Sequence, residues 1–436
     1  MGSRHRLGAL VIAFTLLAAA PLWAAGGGEG HNVPAILLTL SGILVGAKLL
    51  GELAERVGQP AVLGELLAGV LLGSSALGLI PSAGPVADVI NILAELGVLV
   101  LLFEIGLETD LREMRRVGGS AAAVATVGVV LPFLAGYLYW SNVPHGMGDP
   151  DSLSTAAVFI GAALTATSVG ITARVLSDLS GLGSTEGRII IGAAVIDDVL
   201  GLVILTVVSG IAAGGQISPV GTAKVLAVAV GFLIVAIAVG GWVAPRVFRS
   251  VARMKVQFAV PIIALALCFA MAALAELAGS ALIMGAFAAG IILARTEQYR
   301  AIEERVRPVG ALLTPIFFVS VGSALDVHLL NPTRPGGGSL LLVALGLTLL
   351  AILGKVAAGF AAPWAKFRRL AVGVGMVPRG EVGLIFADVG RRSGLLTDNA
   401  FSVVLLMVMG TTFVAPPLLK LLFKQQEPTA MAAHTA

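Results

Sequence analysis

Long apolar runs follow one another along almost the whole chain. A helix that crosses a bilayer needs about 20 predominantly apolar residues. Beyond the first 25 residues we find thirteen such runs, near 34–50, 60–80, 86–106, 119–140, 154–176, 188–213, 220–244, 256–276, 279–295, 308–325, 338–361, 370–390 and 399–423. They predict an all-α membrane protein with about thirteen transmembrane helices.

The composition agrees with lipid as the solvent of this chain. Hydrophobic residues make up 57% of the 436 residues and charged residues 12%, with a mean hydropathy of +0.99. Soluble domains carry about 25% charged residues. The net charge of +3 is too small to indicate a nucleic-acid partner. The single cysteine, Cys268, excludes a disulfide framework and a multi-cysteine metal site.

The N-terminal segment, residues 1–25, has the pattern of a secretory signal peptide. Arg4 and Arg6 precede an apolar run over residues 7–22, and small residues follow. A retained first helix is the alternative. The remainder is predicted to be a transmembrane domain over residues 34–423.

Lysine and arginine fix the predicted orientation, because cytoplasmic loops are enriched in them. Loops after odd-numbered runs hold seventeen of these residues when Arg174, Arg188 and Arg295 at the adjoining run ends are included, and loops after even-numbered runs hold three. We therefore expect the segment before the first run to lie outside the cytoplasm. The short tail, residues 424–436, is expected in the cytoplasm.

Glycine-rich segments recur in the two halves of the chain in the same order. The matching segments are 64–72 with 285–293, 106–110 with 322–326, and 168–182 with 381–395. Each pair is separated by seven runs, and seven is odd, so equivalent helices cross the bilayer in opposite directions. Inverted-topology repeats are typical of secondary transporters, whose sites lie near broken helices at the midplane. Channels and membrane enzymes show them less often.

Two adjacent carboxylates, Asp197 and Asp198, lie deep inside the sixth run. Ionisable residues at bilayer depth are costly and mark functional sites. Two such carboxylates cannot both stay ionised without a nearby cation or amine. Such a group holds either a proton or a hard monovalent cation, and this exclusivity is the physical basis of exchange. The alternative is that the pair caps a helix end.

A buried amine is available at Lys355, deep in the eleventh run. A lone buried ammonium needs a carboxylate partner, and Asp197 or Asp198 is the simplest choice. The alternative is that the lysine extends to the membrane interface.

Polar residues in the fifth and twelfth runs predict two interrupted helices. Residues 165–168 (TATS) and 378–381 (PRGE) occupy equivalent positions in the two repeats. Unwound backbone is tolerated at this depth only when protein or a cavity surrounds it. The freed carbonyls and the hydroxyls of Thr167 and Ser168 are oxygen ligands that suit sodium. Helix packing is the alternative role for these hydroxyls.

Four other charged residues lie within the apolar runs. Arg379 and Glu381 either neutralise helix dipoles or pair with each other. Glu104 and Glu276 are near membrane depth, and we expect structural or access roles for them.

The chain resembles the monovalent cation:proton antiporter superfamily, in the branch of sodium/proton exchangers with paired aspartates. The matching segments are LFEIGLE at 102–108, ATSVG at 166–170, VIDDVLG at 195–201 and VPRGEVGLI at 377–385. This resemblance implies two crossed discontinuous helices, formed by the fifth and twelfth runs. It also implies that Asp198 is the main carrier of cation and proton, and that Asp197 pairs with Lys355. Electrogenic exchange and a homodimer are implied by the resemblance alone.

The function we expect is sodium/proton exchange by alternating access in the bacterial plasma membrane. Asp198, Asp197 and Thr167 would ligate Na⁺, and Ser168, Arg379 and Glu381 would support the crossover. We expect no enzymatic activity and no cofactor besides the transported cation and proton. A potassium/proton antiporter of the same fold is one alternative. A sodium-coupled organic-anion symporter is another, and it would need a roomy apolar pocket beside the ion site.

Overall fold

The computed structural model describes residues 33–109, 111–143, 153–212, 219–334 and 337–423. The predicted signal peptide at 1–25 and the tail at 424–436 lie outside this part of the chain. The described residues are nearly all helical. Their helices are α1 (Val33–Arg56), α2 (Ala61–Leu72), α3 (Pro85–Glu108), α4 (Leu111–Asn142), α5 (Leu153–Ala163), α6 (Val169–Asp178), α7 (Thr185–Ala212), α8 (Pro219–Val251), α9 (Ala259–Leu277), α10 (Leu282–Leu293), α11 (Tyr299–Ser323), a 3₁₀ turn (Val327–Leu330), α12 (Gly337–Ala358), α13 (Arg369–Gly375), α14 (Glu381–Arg392) and α15 (Asp398–Phe423).

Every predicted apolar run overlaps at least one of these helices, so the all-α fold class is confirmed. The fifth run divides into α5 and α6, and the twelfth into α13 and α14. Within the described residues, eight helices are long and apolar enough to cross a membrane by themselves. The count of thirteen spans stays a prediction, because helices such as α2 and α10 have only 12 residues each.

The chain divides into two compact units. The first takes the described residues up to Val98 together with Val309–His328, and the second takes Leu99–Pro308 and the described residues from Leu329 onward. The helices α3 and α11 contribute residues to both units.

In the first unit, α2 packs against α11 with the two backbones in contact. A Cβ added to Gly69 would lie 2.1 Å from the carbonyl oxygen of Val319, and one added to Gly322 would lie 2.1 Å from that of Leu66. Real Cβ atoms do not approach backbone this closely, so only glycine fits either position. Small residues permit such close approach in membrane helices, where dispersion contacts drive helix association.

The second unit contains the matching contact, between α10 and α3. A Cβ added to Gly290 would lie 2.2 Å from the carbonyl oxygen of Phe103, and one on Gly106 would lie 2.4 Å from that of Phe287. Gly290 and Gly106 are the repeat counterparts of Gly69 and Gly322. The glycines that reveal the repeat in the sequence therefore form equivalent helix–helix contacts in the two halves.

Helix α4 packs against both α7 and α12 in the second unit. On α12, Gly354 lies against the ring of Pro132, and Gly346 lies against the phenol of Tyr139. A Cβ at Gly354 would come within 2.9 Å of Pro132 Cγ. These contacts fix the height of α12 along α4, and with it the position of Lys355.

We expect Gly322→Ala to lower the free energy of unfolding by about 1–3 kcal/mol, the usual cost of overpacking. The new Cβ would meet the backbone of α2, which cannot rotate away as a side chain can. Thermal unfolding of the purified protein in detergent measures the effect. Gly42→Ala is the matched control, because a Cβ at Gly42 meets no atom within 4 Å. An equal unfolding temperature for the two variants would contradict this account of the α2–α11 contact.

Candidate ion site

The two adjacent aspartates lie in the interior of α7 and point in different directions. Consecutive residues on an α-helix are about 100° apart, from 3.6 residues per turn. Asp197 is therefore able to face α12 and is only 1% exposed, whereas Asp198 is half-buried. One carboxylate is thus enclosed by protein while its neighbour keeps partial access.

Lys355 reaches Asp197 from the last turn of α12. Its Nζ donates to both carboxylate oxygens, at distances of 3.3 and 3.4 Å, and its side chain is fully buried. The expected ion pair is present. The residues alone left Asp197 and Asp198 open as partners, and the structure pairs Lys355 with Asp197. Full burial excludes a lysine that extends to the membrane interface. Removing one partner of such a buried pair leaves an uncompensated charge and is strongly unfavourable.

The two interrupted helices meet at their breaks. The first break, residues 164–168, separates α5 from α6, and the second, residues 376–380, separates α13 from α14. The backbone N–H of Ser168 donates to the carbonyl of Pro378 at 2.8 Å. The Thr167 hydroxyl donates to the carbonyl of Met376 at 3.2 Å. The interruptions predicted from the sequence are therefore confirmed, and each break supplies hydrogen-bond partners to the other.

Arg379 lies fully buried in the second break, and its side chain binds backbone carbonyls of the first break. Its Nη1 donates to the carbonyls of Thr165 at 2.9 Å and Ala166 at 2.6 Å, just beyond the C-terminal end of α5. A cation at a helix C-terminus is stabilised by the helix dipole. The position of Arg379 therefore fits the first of its two expected roles, which is to neutralise a helix dipole. The expected pairing with Glu381 involves a side chain outside the described part of the structure.

Where the two breaks meet, some oxygen atoms already accept hydrogen bonds and others keep lone pairs for a ligand. The carbonyls of Thr165 and Ala166 accept hydrogen bonds from Arg379, and that of Met376 accepts from Thr167. The Thr167 hydroxyl oxygen keeps lone pairs, because it acts as a donor in its own bond. Among the described residues, no three His, Cys, Asp or Glu side chains form a metal cluster. The carboxylate oxygens of Asp197 and Asp198 are the charged oxygen atoms that the sequence predicts as ion ligands.

Two threonines donate hydrogen bonds to carbonyls in the second break or directly before it, and neither was predicted from the sequence. Thr172 Oγ1 donates to the carbonyl of Gly375 at 2.8 Å, and Thr412 Oγ1 donates to the carbonyl of Arg379 at 2.6 Å. Both hydroxyls are fully buried. The available signal was weak: Thr172 follows Ser168 by one helical turn, and Thr412 is one of two adjacent threonines in an apolar helix.

The other ionisable residues noted in the sequence, Glu104, Glu276 and Cys268, differ in how exposed they are to solvent. Glu104 has one carboxylate oxygen, Oε1, that is buried without a hydrogen-bond partner among the described residues. Glu276 is exposed near the end of α9. Cys268 is a buried free thiol in α9. The structural or access roles of the two glutamates stay predictions.

A solved structure with the same fold is that of the sodium proton antiporter MjNhaP1 from Methanocaldococcus jannaschii. It superposes with a TM-score of 0.64 at 18% identity, covering 89% of this chain and 99% of that one. At this identity the match shows the fold alone.

Sequence relatives extend over most of the chain. The high-affinity Na⁺/H⁺ antiporter NhaS3 of Synechocystis sp. is 41% identical, with 89% of this chain and 90% of the relative covered. The Na⁺/H⁺-K⁺ antiporter GerN of Bacillus cereus is 36% identical, covering 90% and 97%. The family described as "Sodium/hydrogen exchanger, transmembrane" matches residues 37–425. This multi-pass membrane protein therefore belongs to the sodium/hydrogen exchanger family of the monovalent cation:proton antiporter superfamily.

Proposed function

We propose that this protein exchanges sodium for protons across the bacterial plasma membrane, with Asp198 and Asp197 as its ion site. The observation that carries the proposal is the buried pair of Lys355 and Asp197 beside the half-buried Asp198. The pair gives Asp197 a counter-charge, and we assign the binding of a proton or a cation to the partly exposed carboxylate of Asp198. Relatives named as Na⁺/H⁺ antiporters support the same activity.

Competition for Asp197 couples the two ions in this proposal. When sodium binds at the two aspartates, its charge competes with the ammonium of Lys355 for Asp197. A lysine left buried without a counter-charge releases a proton, because an isolated ion in the membrane interior is costly. Asp198 releases its own proton to bind the cation. Two protons then leave for each sodium bound, and the exchange moves net charge.

The crossover has the supporting role. Thr167 adds a hydroxyl oxygen as a sodium ligand, and Ser168 contributes the backbone N–H that joins the two breaks. Arg379 binds the carbonyls at the end of α5, and Glu381 completes the charge balance of the second break. Access alternates between the two sides of the membrane around this site, as inverted-repeat transporters do.

Potassium/proton exchange is the second candidate, because the name of the Bacillus cereus relative includes K⁺. Both ions are hard monovalent cations that carboxylate and hydroxyl oxygens bind. Proton release from everted vesicles decides between them when sodium, potassium and lithium are each supplied as the only added cation.

We propose the remaining features from sequence and family. The segment before α1 faces the periplasm and the C-terminal tail faces the cytoplasm, as the seventeen-to-three distribution of basic residues favours. The protein works as a homodimer and as a transporter without enzymatic activity or a bound cofactor.

Asp198→Asn should abolish cation-driven proton movement while leaving a folded membrane protein. An amide neither binds a proton for transport nor supplies the negative charge that sodium needs. Proton release from everted vesicles on addition of sodium measures the activity. Asp398→Asn, at an exposed aspartate in the first turn of α15, is the matched control and should behave as wild type. Sodium-driven proton movement at the wild-type rate in the Asp198 variant would refute the carrier role.

Lys355→Ala should retain sodium/proton exchange but make its rate insensitive to membrane potential, because the lysine no longer contributes a second proton. The measurement is exchange in proteoliposomes with an imposed potassium diffusion potential. Lys366→Ala removes an exposed lysine and should keep the wild-type response to potential. If transport by the Lys355 variant is as potential-driven as wild type, the lysine is only a counter-ion and the two-proton mechanism is wrong.

A further inference from the structure

A proline interrupts the hydrogen-bond ladder of α4 beside Lys355. Pro132 lies in the interior of this helix and is buried. Proline has no backbone N–H, so the carbonyl four residues earlier, that of Gly128, receives no hydrogen bond from position 132. A buried carbonyl at membrane depth is costly when it has no donor.

The face of α4 that carries this carbonyl is packed against α12. A Cβ added to Gly128 would lie 3.4 Å from Cδ and 3.5 Å from Nζ of Lys355. One turn along the same face, the backbone nitrogen of Pro132 lies 3.2 Å from the position of a Cβ on Gly354. The freed carbonyl therefore lies between two residues that both contact α12 next to the lysine.

We propose that the Gly128 carbonyl, released by Pro132, is the acceptor that holds the amine of Lys355 when sodium displaces it from Asp197. This inference rests on the proposed exchange function and adds a positioning element to it. The amine keeps N–H donors whether or not it has released its proton, so the same carbonyl serves both forms. Neither Gly128 nor Pro132 touches the transported ion in this role.

The lysine thus moves between two acceptors on different helices. In the structure its Nζ donates to the two carboxylate oxygens of Asp197 on α7. The second acceptor, on α4, lowers the cost of leaving the first. The lack of a side chain at Gly128 contributes to this arrangement, because it leaves space on α4 for the side chain of Lys355.

Pro132→Ala tests the proposal, because alanine supplies the missing N–H and returns the Gly128 carbonyl to the helix. Loss of one hydrogen bond in the sodium-bound state should weaken apparent sodium affinity about three- to tenfold. Sodium-dependent thermal stabilisation of the purified full-length protein measures affinity without requiring transport. Pro132→Ser also supplies an N–H and should give the same shift, so a folding defect of one variant does not decide the result.

A double-mutant cycle tests whether the effect of Pro132 on sodium affinity acts through Lys355. In the Lys355→Ala background, Pro132→Ala should leave sodium affinity unchanged, because no amine remains to be held. Pro245→Ala removes a proline from the interior of α8 and should leave sodium affinity at the wild-type value.

Three results would overturn the inference while leaving exchange itself intact. These are wild-type sodium affinity in both Pro132 variants, the same loss of affinity with and without Lys355, or an equal loss in Pro245→Ala. Absence of sodium binding to the wild-type protein, with its exchange activity also absent, would overturn the proposed function and this inference together.

Discussion

The ammonium of Lys355 lies fully buried, and much of the second unit is arranged so that this charge has a partner. Asp197 on α7 supplies the counter-charge, and its Oδ2 lies 3.3 Å from Nζ of Lys355. Because an unpaired ion in such surroundings is unfavourable by several kcal/mol, α7 and α12 have to be held in register. Helix α4 packs against both of them, and Gly354 and Gly346 set α12 against Pro132 and Tyr139. Small residues in the packing thus decide where the charge lies.

The same constraint governs the backbone of the interrupted helices. The residues of both breaks are buried, so the backbone groups released by the breaks need partners within the chain. The structure supplies them with buried hydroxyls from Thr167, Thr172 and Thr412 and with the guanidinium of Arg379. Arg379 therefore acts first as a structural cation. The carboxylates of Asp197 and Asp198 are the charged oxygen ligands that we propose for the ion.

Several features of the site were predictable because membrane depth makes polar residues conspicuous. Asp197, Asp198 and Lys355 stand out in apolar runs, and the two breaks stand out as TATS and PRGE. Thr172 and Thr412 were not predicted, because a threonine in a membrane helix also bonds to its own helix backbone, as Thr411 does here. The importance of Pro132 was hidden for a related reason. Proline is frequent in membrane helices, and its effect depends on which side chain lies beside the freed carbonyl.

The sequence by itself determined the helical membrane fold, the repeat and the residues that carry charge into the bilayer. These follow from the length of apolar runs, from repeated spacing and from the cost of burying an ion, all of which are local properties. Only the tertiary structure decided that Lys355 pairs with Asp197 rather than with its neighbour. It also decided that Arg379 binds the end of α5, and that Gly128 lies against the lysine. Each of these depends on the rotation and height of one helix against another, and those are set by glycine and proline contacts between residues far apart in the chain.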